Sequence, residues 1–94
     1  MKDRKSNTRF SLGKVRMTRG VMKRVPATEA LDAFLRHANC DWGDVGDFDW
    51  EQNNIALKED ARLLSVYATS NGLRLWIITE RDRSVTTLLL PEEY

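Results

Sequence analysis

The final third of the chain, residues 62–94, constrains the fold most, because three apolar runs alternate there with two short polar turns. The runs RLLSVYA, LRLWIIT and VTTLLL are rich in β-branched and aromatic residues, which favour strands. Asn71-Gly72 lies between the first two runs and is a strong hairpin signal, since a type I′ turn needs positive φ at both central residues. We therefore predict three consecutive antiparallel strands.

This turn places Tyr67 opposite Trp76, and the following ERDR turn places Ile78 opposite Val85. Side chains alternate between the two faces of a sheet. The face predicted to pack on helices carries Leu64, Val66, Ala68, Leu75, Ile77 and Leu88. The other face carries Leu63, Tyr67, Trp76, Ile78, Val85 and Leu89. Because the second face is also apolar, we expect it to be covered, either by this chain's own third helix and loop or by another chain.

The first half predicts an edge strand and two helices. Residues 1–9 are a basic tail expected to be flexible, and residues 10–94 form one domain. Residues 12–17 predict a short edge strand bearing Lys14 and Arg16, whose charges deter stray pairing. Thr18 is a suitable N-cap for a helix that Pro26 ends. Thr28 caps the next helix, whose predicted buried stripe is Leu31, Phe34, Leu35 and Ala38.

Residues 40–50, CDWGDVGDFDW, contain two glycines and four aspartates and predict an ordered loop. Trp42, Phe48 and Trp50 are expected to anchor it in the core. Residues 51–60 predict a short third helix with Ile55 and Leu57 turned inward. The fold class is therefore α+β: a small single domain with a three-stranded antiparallel C-terminal meander, open to an added N-terminal edge strand, packed against two or three short helices.

Composition excludes several classes of protein. A chain of 94 residues is one domain. No apolar run approaches the roughly 18 residues that a bilayer span needs, and no signal peptide is evident, so we expect a cytoplasmic protein without membrane contact. The lone Cys40 agrees with a reducing compartment. The net charge of +1 conceals a basic segment, residues 1–25, and an acidic segment, residues 41–60.

Few residues suggest catalysis, so an enzyme is less expected than a binding protein. His37 is the only histidine and is placed at a helix end, where its charge interacts favourably with the helix dipole. The aspartates of residues 41–51 do not match the calcium-loop pattern, and Cys40 has no second soft ligand at useful spacing, so neither metal nor cofactor is expected. One enzymatic alternative stays open: a small ribonuclease-type toxin with His37 as base and Arg81 or Arg83 stabilising the phosphorane.

The basic segment also permits weak nucleic-acid binding through Arg16, Arg19, Lys23 and Arg24, as in a DNA-binding regulator. The sheet and its second turn instead suggest binding to a protein. Aromatic and aliphatic side chains would supply contact area there, and the turn would supply oriented charge. The candidate partner-binding residues are Tyr67, Trp76, Ile78, Arg81, Asp82 and Arg83.

Four segments carry a family resemblance: SLGKV from Ser11, RHANCDWGD from Arg36, RLLSVY from Arg62 and WIITERDRSVTTLLLPEEY from Trp76. Through them the chain resembles a family of short bacterial proteins carried on plasmids, phages and integrated elements. This chain is more basic over residues 17–25 than the usual family pattern, and it has Arg81 where a small residue is common in the family. The resemblance implies no catalytic residue.

Small proteins of mobile elements often block host defence, control element genes or act as toxins and antitoxins. The resemblance therefore implies a non-enzymatic, mobile-element binding protein, in its most specific form an inhibitor of a host defence complex of the anti-CRISPR or anti-restriction type. The expected partner is that complex or a second copy of the chain. The ribonuclease-type toxin and the DNA-binding regulator are the alternatives.

Overall fold

A computed structural model describes residues 9–94, so most of the predicted flexible tail, residues 1–9, lies outside the described residues. The fold is α+β, a small single domain of three helices and a four-stranded mixed sheet. The strands are β1 (Lys14–Met17), β2 (Leu63–Ala68), β3 (Arg74–Thr79) and β4 (Val85–Leu89). The helices are α1 (Arg19–Arg24), α2 (Ala27–Ala38) and α3 (Asp47–Lys58), and a 3₁₀ turn, Pro91–Glu93, follows β4.

The sheet order is β1-β4-β3-β2. Strands β2, β3 and β4 form the predicted antiparallel meander, and the predicted N-terminal strand joins it as an edge, parallel to β4. Strand β1 is only four residues long, and all four of its side chains are exposed. The first strand of the chain therefore lies beside the last one, which brings the basic N-terminal segment against the C-terminal end.

The predicted register between β2 and β3 is wrong by one residue. Tyr67 pairs with Leu75 rather than with Trp76. The reason is the turn: Gly72 donates its backbone N–H to the Thr69 carbonyl and has a φ of 84°. This is a three-residue loop with glycine in the left-handed position, not a two-residue type I′ turn. A slip of one residue exchanges the two faces of a strand, so all of β2 is reversed relative to the prediction.

The second turn has the predicted four residues but lies one residue later in the chain. Glu80 donates its backbone N–H to the Val85 carbonyl, and Arg83 has a φ of 61°. Residues 81–84 form the loop in place of residues 80–83, and this displacement moves the pairing by two residues, so that Ile78 lies opposite Thr87 instead of Val85. A shift of two residues preserves the faces, so β3 and β4 keep the sides predicted for them.

The face covered by the helices, here the inner face, carries a mixed set of side chains: Val15, Met17, Leu63, Ser65, Tyr67, Leu75, Ile77, Thr79, Thr86 and Leu88. The main core forms where α1 and α2 pack on this face. It contains Val21, Val25, Ala30, Ala33, Tyr67, Leu75, Ile77, Leu88 and Leu90. A smaller cluster of Trp42, Ala56 and Leu63 lies under α3.

Helix α1 begins as predicted: the Thr18 hydroxyl accepts the Val21 N–H at 3.4 Å, and Val25 before Pro26 is extended. Helix α2 differs, because Pro26 and not Thr28 precedes its first turn. Its buried residues are Ala30, Ala33, His37 and Ala38, whereas Leu31 and Leu35 are 57% and 51% exposed. The predicted stripe is therefore right for Ala38 and for Phe34, which packs partly buried against the core, but wrong for Leu31 and Leu35, since small alanines let the helix approach the sheet.

The third helix begins at Asp47, earlier than predicted, so Phe48 and Trp50 belong to α3 and not to a loop. Trp42 is fully buried, as predicted for an anchor, but Phe48 is 74% exposed and anchors nothing among the described residues. Ile55 is also exposed, and the buried residues of the helix are Asn53 and Ala56. The Asn53 amide explains its burial: it donates to the Leu64 carbonyl at 2.8 Å and accepts the Leu64 N–H at 3.2 Å.

Candidate functional site

His37, the predicted general base, is fully buried on α2 between the helices and the sheet. Its ring packs edge-on against Phe10 and Trp42, with ring centroids 5.5 Å and 5.6 Å apart. Nδ1 lies 2.6 Å from Ser65 Oγ, and Nε2 lies 2.9 Å from Thr79 Oγ1. Both ring nitrogens therefore already have hydrogen-bond partners inside the protein.

The hydrogen bonds around His37 have one consistent direction. Thr86 donates its hydroxyl to the Leu12 carbonyl at 2.7 Å, because a carbonyl can only accept. Thr79 must then donate to Thr86, 2.8 Å away, and so accept from His37 Nε2–H. This leaves Nδ1 as the acceptor for Ser65. The network assigns the neutral Nε2–H tautomer and satisfies every polar group in the row.

Burial, and secondarily the nearby positive charge of Arg83, lower the pKa of His37 to about 4. A neutral imidazole at pH 7 could in principle accept a proton. This one has no exposed surface and no unoccupied nitrogen, so no substrate reaches it in this conformation. The geometry thus explains His37 as the polar partner of a buried Ser–Thr–Thr row and gives no support to the ribonuclease hypothesis.

Arg83, a residue of both the catalytic and the partner-binding predictions, is held by backbone carbonyls. Its Nη1 donates to Ala61 at 2.7 Å and to Glu80 at 3.2 Å, and its Nη2 donates to Ala56 at 3.3 Å. The guanidinium thereby satisfies carbonyls in the last turn of α3 and just beyond it. The side chain joins α3 to the β3–β4 turn, and three of its five N–H donors are used within the protein.

Asp82 is exposed and accepts the backbone N–H and the hydroxyl of Ser84, at 3.0 Å and 2.6 Å. These bonds hold the pKa of Asp82 below its usual value, with the Ser84 hydroxyl as the main cause. Arg81 is exposed at the same turn. Of the three charged turn residues, Arg81 and Asp82 are accessible to a partner, whereas Arg83 is hydrogen-bonded to backbone carbonyls of the protein itself.

Tyr67 and Ile78 expose only 3% and 4% of their surface. Tyr67 lies on the inner face because of the one-residue register difference, and its hydroxyl donates to the Asp41 carbonyl at 2.6 Å. Burial raises the pKa of this phenol above its usual value. Neither side chain offers contact area to a partner in this conformation, which corrects the expectation that they do.

Trp76 is half-buried on the outer face, opposite the helices. Tyr94, the last residue, packs edge-on against it with ring centroids 5.6 Å apart. Arg62 lies over the Tyr94 ring at 5.3 Å and donates to its hydroxyl at 2.8 Å. No described helix covers this face, but the chain's own C-terminus shields its centre. The outer face is therefore less available than the sequence suggested.

The four predicted nucleic-acid-binding residues lie on β1 and α1. Arg16, Arg19 and Lys23 are exposed, while Arg24 pairs with Glu92 at 2.9 Å. The amides at the start of α1 are already occupied, since Glu93 accepts the Gly20 N–H at 2.8 Å and the Thr18 hydroxyl at 2.5 Å. The structure thus leaves three of these cations exposed, with Arg16 on β1 and Arg19 and Lys23 on α1, and the Gly20 amide at the start of α1 is already bonded.

An apolar groove that the sequence did not predict opens between β1, α1 and α2, with a volume of about 390 Å³. We call it the β1–α1 groove. It is lined entirely by apolar side chains: Val15, Met17, Val21, Met22, Val25, Ala27, Ala30, Leu31, Phe34 and Leu88. Four of these remain largely exposed: Val15 at 47%, Met17 at 42%, Met22 at 63% and Leu31 at 57%. These side chains converge on one apolar depression at the surface.

The two edges of the sheet differ. On the β2 edge, Val66 donates its N–H to the Trp42 carbonyl at 3.1 Å and accepts the Asp44 N–H at 2.6 Å, so residues 42–44 close that edge. On the other side, Lys14 donates its N–H to the Ser84 carbonyl just before β4, and Thr18 donates to the Leu88 carbonyl of β4. In a parallel ladder the alternate residues face away, so the N–H and C=O groups of Val15 and Met17 point to the open edge. Among residues 9–94, no strand pairs there.

The residues of this groove are apolar in the sequence, but their pattern predicts that they are buried and not that they line an open surface. Val15 and Met17 alternate with Lys14 and Arg16, as in a strand that is half-buried. Met22 and Leu31 are apolar residues at helical positions, which usually predicts burial. Only the rotation of α2, set by its alanines and His37, turns Leu31 outward and leaves the groove open.

Two further properties concern only the described residues. In residues 9–94, no three histidine, cysteine, aspartate or glutamate side chains lie close enough together to hold a metal ion. Over the same range, no helix has the length and apolar character needed to cross a membrane.

Comparison with protein-family models, with curated proteins and with solved structures finds no match for this chain.

Proposed function

We propose that this chain works by binding another protein, and that the β1–α1 groove is the contact surface. The observation that carries the proposal is the exposure of Val15, Met17, Met22 and Leu31 around one apolar depression. Single exposed apolar residues are ordinary, but a contiguous apolar groove has a desolvation gain that only a partner can realise. The buried His37 and the occupied Arg83 supply no competing catalytic site.

The predicted surface around Trp76 is a weaker choice than the groove. Tyr94 packs against the indole and is held by Arg62, so a partner would have to displace Tyr94. The exposed turn residues Arg81 and Asp82 are charged and supply little apolar contact area. They would serve at most as a charged rim of a contact surface. The proposal therefore keeps the predicted mode of action, binding, and places it at a different surface.

In its more specific form, we propose an inhibitor of a bacterial defence complex such as CRISPR–Cas or restriction. Its support is the resemblance of the segment Trp76–Tyr94 to short proteins of mobile elements, together with the burial of His37, the predicted catalytic base. Expression of the chain in a host whose defence system cuts an incoming plasmid tests this form. The proposal expects more transformants than with an empty vector, and an unchanged number contradicts it.

The binding proposal is tested with the immobilised chain in a lysate of its native host. We expect at least one protein to be retained by the wild type and lost with the double variant Met22→Asp, Leu31→Asp, because each change places a charge in the apolar groove. Phe48→Asp is the matched control: Phe48 is 74% exposed on α3, away from the groove, and should leave retention unchanged. Equal retention by the wild type and the groove variant contradicts the proposal.

Two outcomes would favour the alternatives. RNA cleavage by the wild type that is lost in His37→Ala would favour a toxin despite the burial of the imidazole. Duplex DNA binding whose affinity falls steeply with salt concentration would favour a regulator using Arg16, Arg19 and Lys23.

A solution mass of two chains, reduced to one by Met22→Asp, would identify a second copy as the occupant of the groove.

A further inference from the structure

The open edge of β1 and the β1–α1 groove are one continuous surface. Val15 and Met17 direct their backbone groups to the open edge and their side chains to the groove. Lys14 and Arg16 lie on the opposite, outer face of the same strand. A strand added beside β1 would therefore meet backbone donors and acceptors in the plane of the sheet, apolar side chains on one face and cations on the other.

The charges favour one kind of occupant. From Arg9 to Val25 the chain contains six Lys or Arg residues and no Asp or Glu. Apart from Arg24, which pairs with Glu92, the cations of β1 and α1 form no ion pair with residues 9–94. Pairing of β1 with β1 of a second copy would bring lysine and arginine side chains of both copies together on one face, which is unfavourable. The same charges attract an acidic strand.

We infer that the β1 edge receives an extended segment of a partner protein in which acidic and apolar residues alternate. This inference rests on the proposed binding function and names the chemistry of the partner. The apolar side chains of the segment lie over Val15 and Met17 in the groove, and its carboxylates lie beside Lys14 and Arg16. Main-chain hydrogen bonds to Val15 and Met17 give affinity, and the alternation gives specificity. The positive edge excludes self-pairing and basic strands.

The test uses a synthetic peptide of about eight residues, the common length of a strand, with blocked ends and alternating glutamate and valine. It is titrated into the protein while backbone amides are followed by NMR. We expect shifts confined to β1, α1 and the start of α2, and slower hydrogen exchange at the amides of Val15 and Met17. A peptide of alternating lysine and valine should bind at least about tenfold more weakly because of like-charge contacts.

Two controls separate a strand from general attraction. A peptide of the same composition with its glutamates in one block and its valines in another should not slow exchange at Val15 and Met17. The double variant Lys14→Glu, Arg16→Glu changes only exposed side chains of an edge strand and should reverse the preference in favour of the lysine peptide. Equal binding of alternating and block peptides, or shifts centred on Trp76 instead of β1, would overturn the inference.

The two proposals fail separately. If the groove variant loses a protein from the host lysate while the glutamate–valine peptide leaves Val15 and Met17 unprotected, the binding function stands and the partner chemistry is wrong. If the peptide protects these amides but no host protein depends on Met22 and Leu31, the edge accepts an acidic strand and the proposed function fails.

Discussion

His37 shows how one residue can look catalytic in the sequence and act structurally in the fold. Its imidazole has no exposed surface and joins α2 to three strands through Ser65 and the paired residues Thr79 and Thr86. A hydroxyl row of this kind would be costly in a core without a partner, because each unpaired buried polar group costs about 1–3 kcal/mol. The single histidine supplies the donor and the acceptor that complete the row.

This role predicts an unusual pH dependence. The pKa of His37 is about 4 in the folded protein and about 6.5 when unfolded, so the unfolded state binds the proton first as the pH falls. The full stability is present above pH 6.5 and decreases between pH 6.5 and 4. We expect a loss of about 2 kcal/mol in unfolding free energy from pH 7 to pH 5. Urea denaturation at several pH values measures it.

His37→Gln is the control for this prediction, since glutamine keeps an amide donor but does not titrate. Its unfolding free energy should be nearly constant from pH 7 to pH 5. The depressed pKa values of Asp41 and Glu29 act below this window, because stability from such carboxylates is lost only as they become protonated. A flat wild-type profile, or an imidazole that titrates near 6.5 in an NMR experiment, would refute the structural role of His37.

Alanine substitutions at Gly43 and Gly72 distinguish the cost of backbone strain from the cost of a steric clash. Both have positive φ, 80° and 84°. A Cβ at position 43 would overlap the Val66 carbonyl oxygen, whereas nothing lies within 4 Å of one at position 72. We expect Gly72→Ala to cost about 1 kcal/mol from strain alone, and Gly43→Ala to cost at least about 2 kcal/mol more. Denaturation midpoints measure both, and equal costs would mean that residues 42–44 do not close the β2 edge.

At the scale of secondary-structure elements, α2 shows why the most hydrophobic stripe of a helix need not be its buried one. Ala30 and Ala33 face the sheet, and Leu35 is 51% exposed. A helix that must bring His37 within hydrogen-bond distance of β2 and β3 has no room for large side chains one turn earlier. Hydrophobicity alone therefore gives the wrong rotation, and the buried hydrogen bonds of His37 set the right one.

The α2 orientation predicts an inverted mutational pattern. Leu35→Lys should change the unfolding free energy by no more than about 0.5 kcal/mol, as for other surface substitutions. Ala33→Leu should destabilise by about 1–3 kcal/mol, because it overpacks the contact between α2 and the sheet. Thermal and urea denaturation of the two variants compare them directly. A large cost at Leu35 with tolerance at Ala33 would restore the predicted leucine stripe.

The C-terminal turn and α1 form a second coupled pair of elements. Glu93 bridges the start of α1 and the turn itself, since it accepts from Thr18, Gly20 and Leu90. These bonds, chiefly the one from the Thr18 hydroxyl, hold the pKa of Glu93 below its usual value. The carboxylate therefore fixes one wall of the β1–α1 groove at neutral pH.

We expect Glu93→Ala to speed hydrogen exchange at the Gly20 amide, because its acceptor is lost. Glu92→Ala is the neighbouring control: it removes the pair with Arg24 and should leave exchange at Gly20 unchanged. In the wild type, exchange at Gly20 corrected for its intrinsic pH dependence should accelerate as Glu93 becomes protonated below its usual pKa. Identical exchange in the two variants would show that Glu93 does not hold α1.

At the scale of the whole molecule, the fold class and the order of the elements followed from the sequence, because hairpin signals, Pro26 and the Thr18 cap act locally. The register did not follow, since Asn71-Gly72 fits two turn types that differ by one residue. That residue decides whether Tyr67 lies in the core or on the outer face. The groove could not be predicted either, because its shape depends on which side of α2 meets the sheet.

The protein that emerges has one sheet edge closed by residues 42–44, one face covered by helices, and an opposite face shielded at its centre by Tyr94. The β1–α1 groove leaves an apolar surface exposed at the open edge. A binding function at this place, rather than at Trp76 or at His37, is the proposal on which the rest depends.

Photo-crosslinking in the native host tests the proposed binding through the β1–α1 groove most directly. A photoreactive phenylalanine analogue is placed in turn at Met22 in the groove, at Leu64 on the outer face and at Phe48 on α3; all three side chains are exposed. We predict a crosslinked protein product from position 22, weakened by Leu31→Asp, with little or none from positions 48 and 64. A product from position 64 alone, or equal products from all three positions, would contradict binding through the groove.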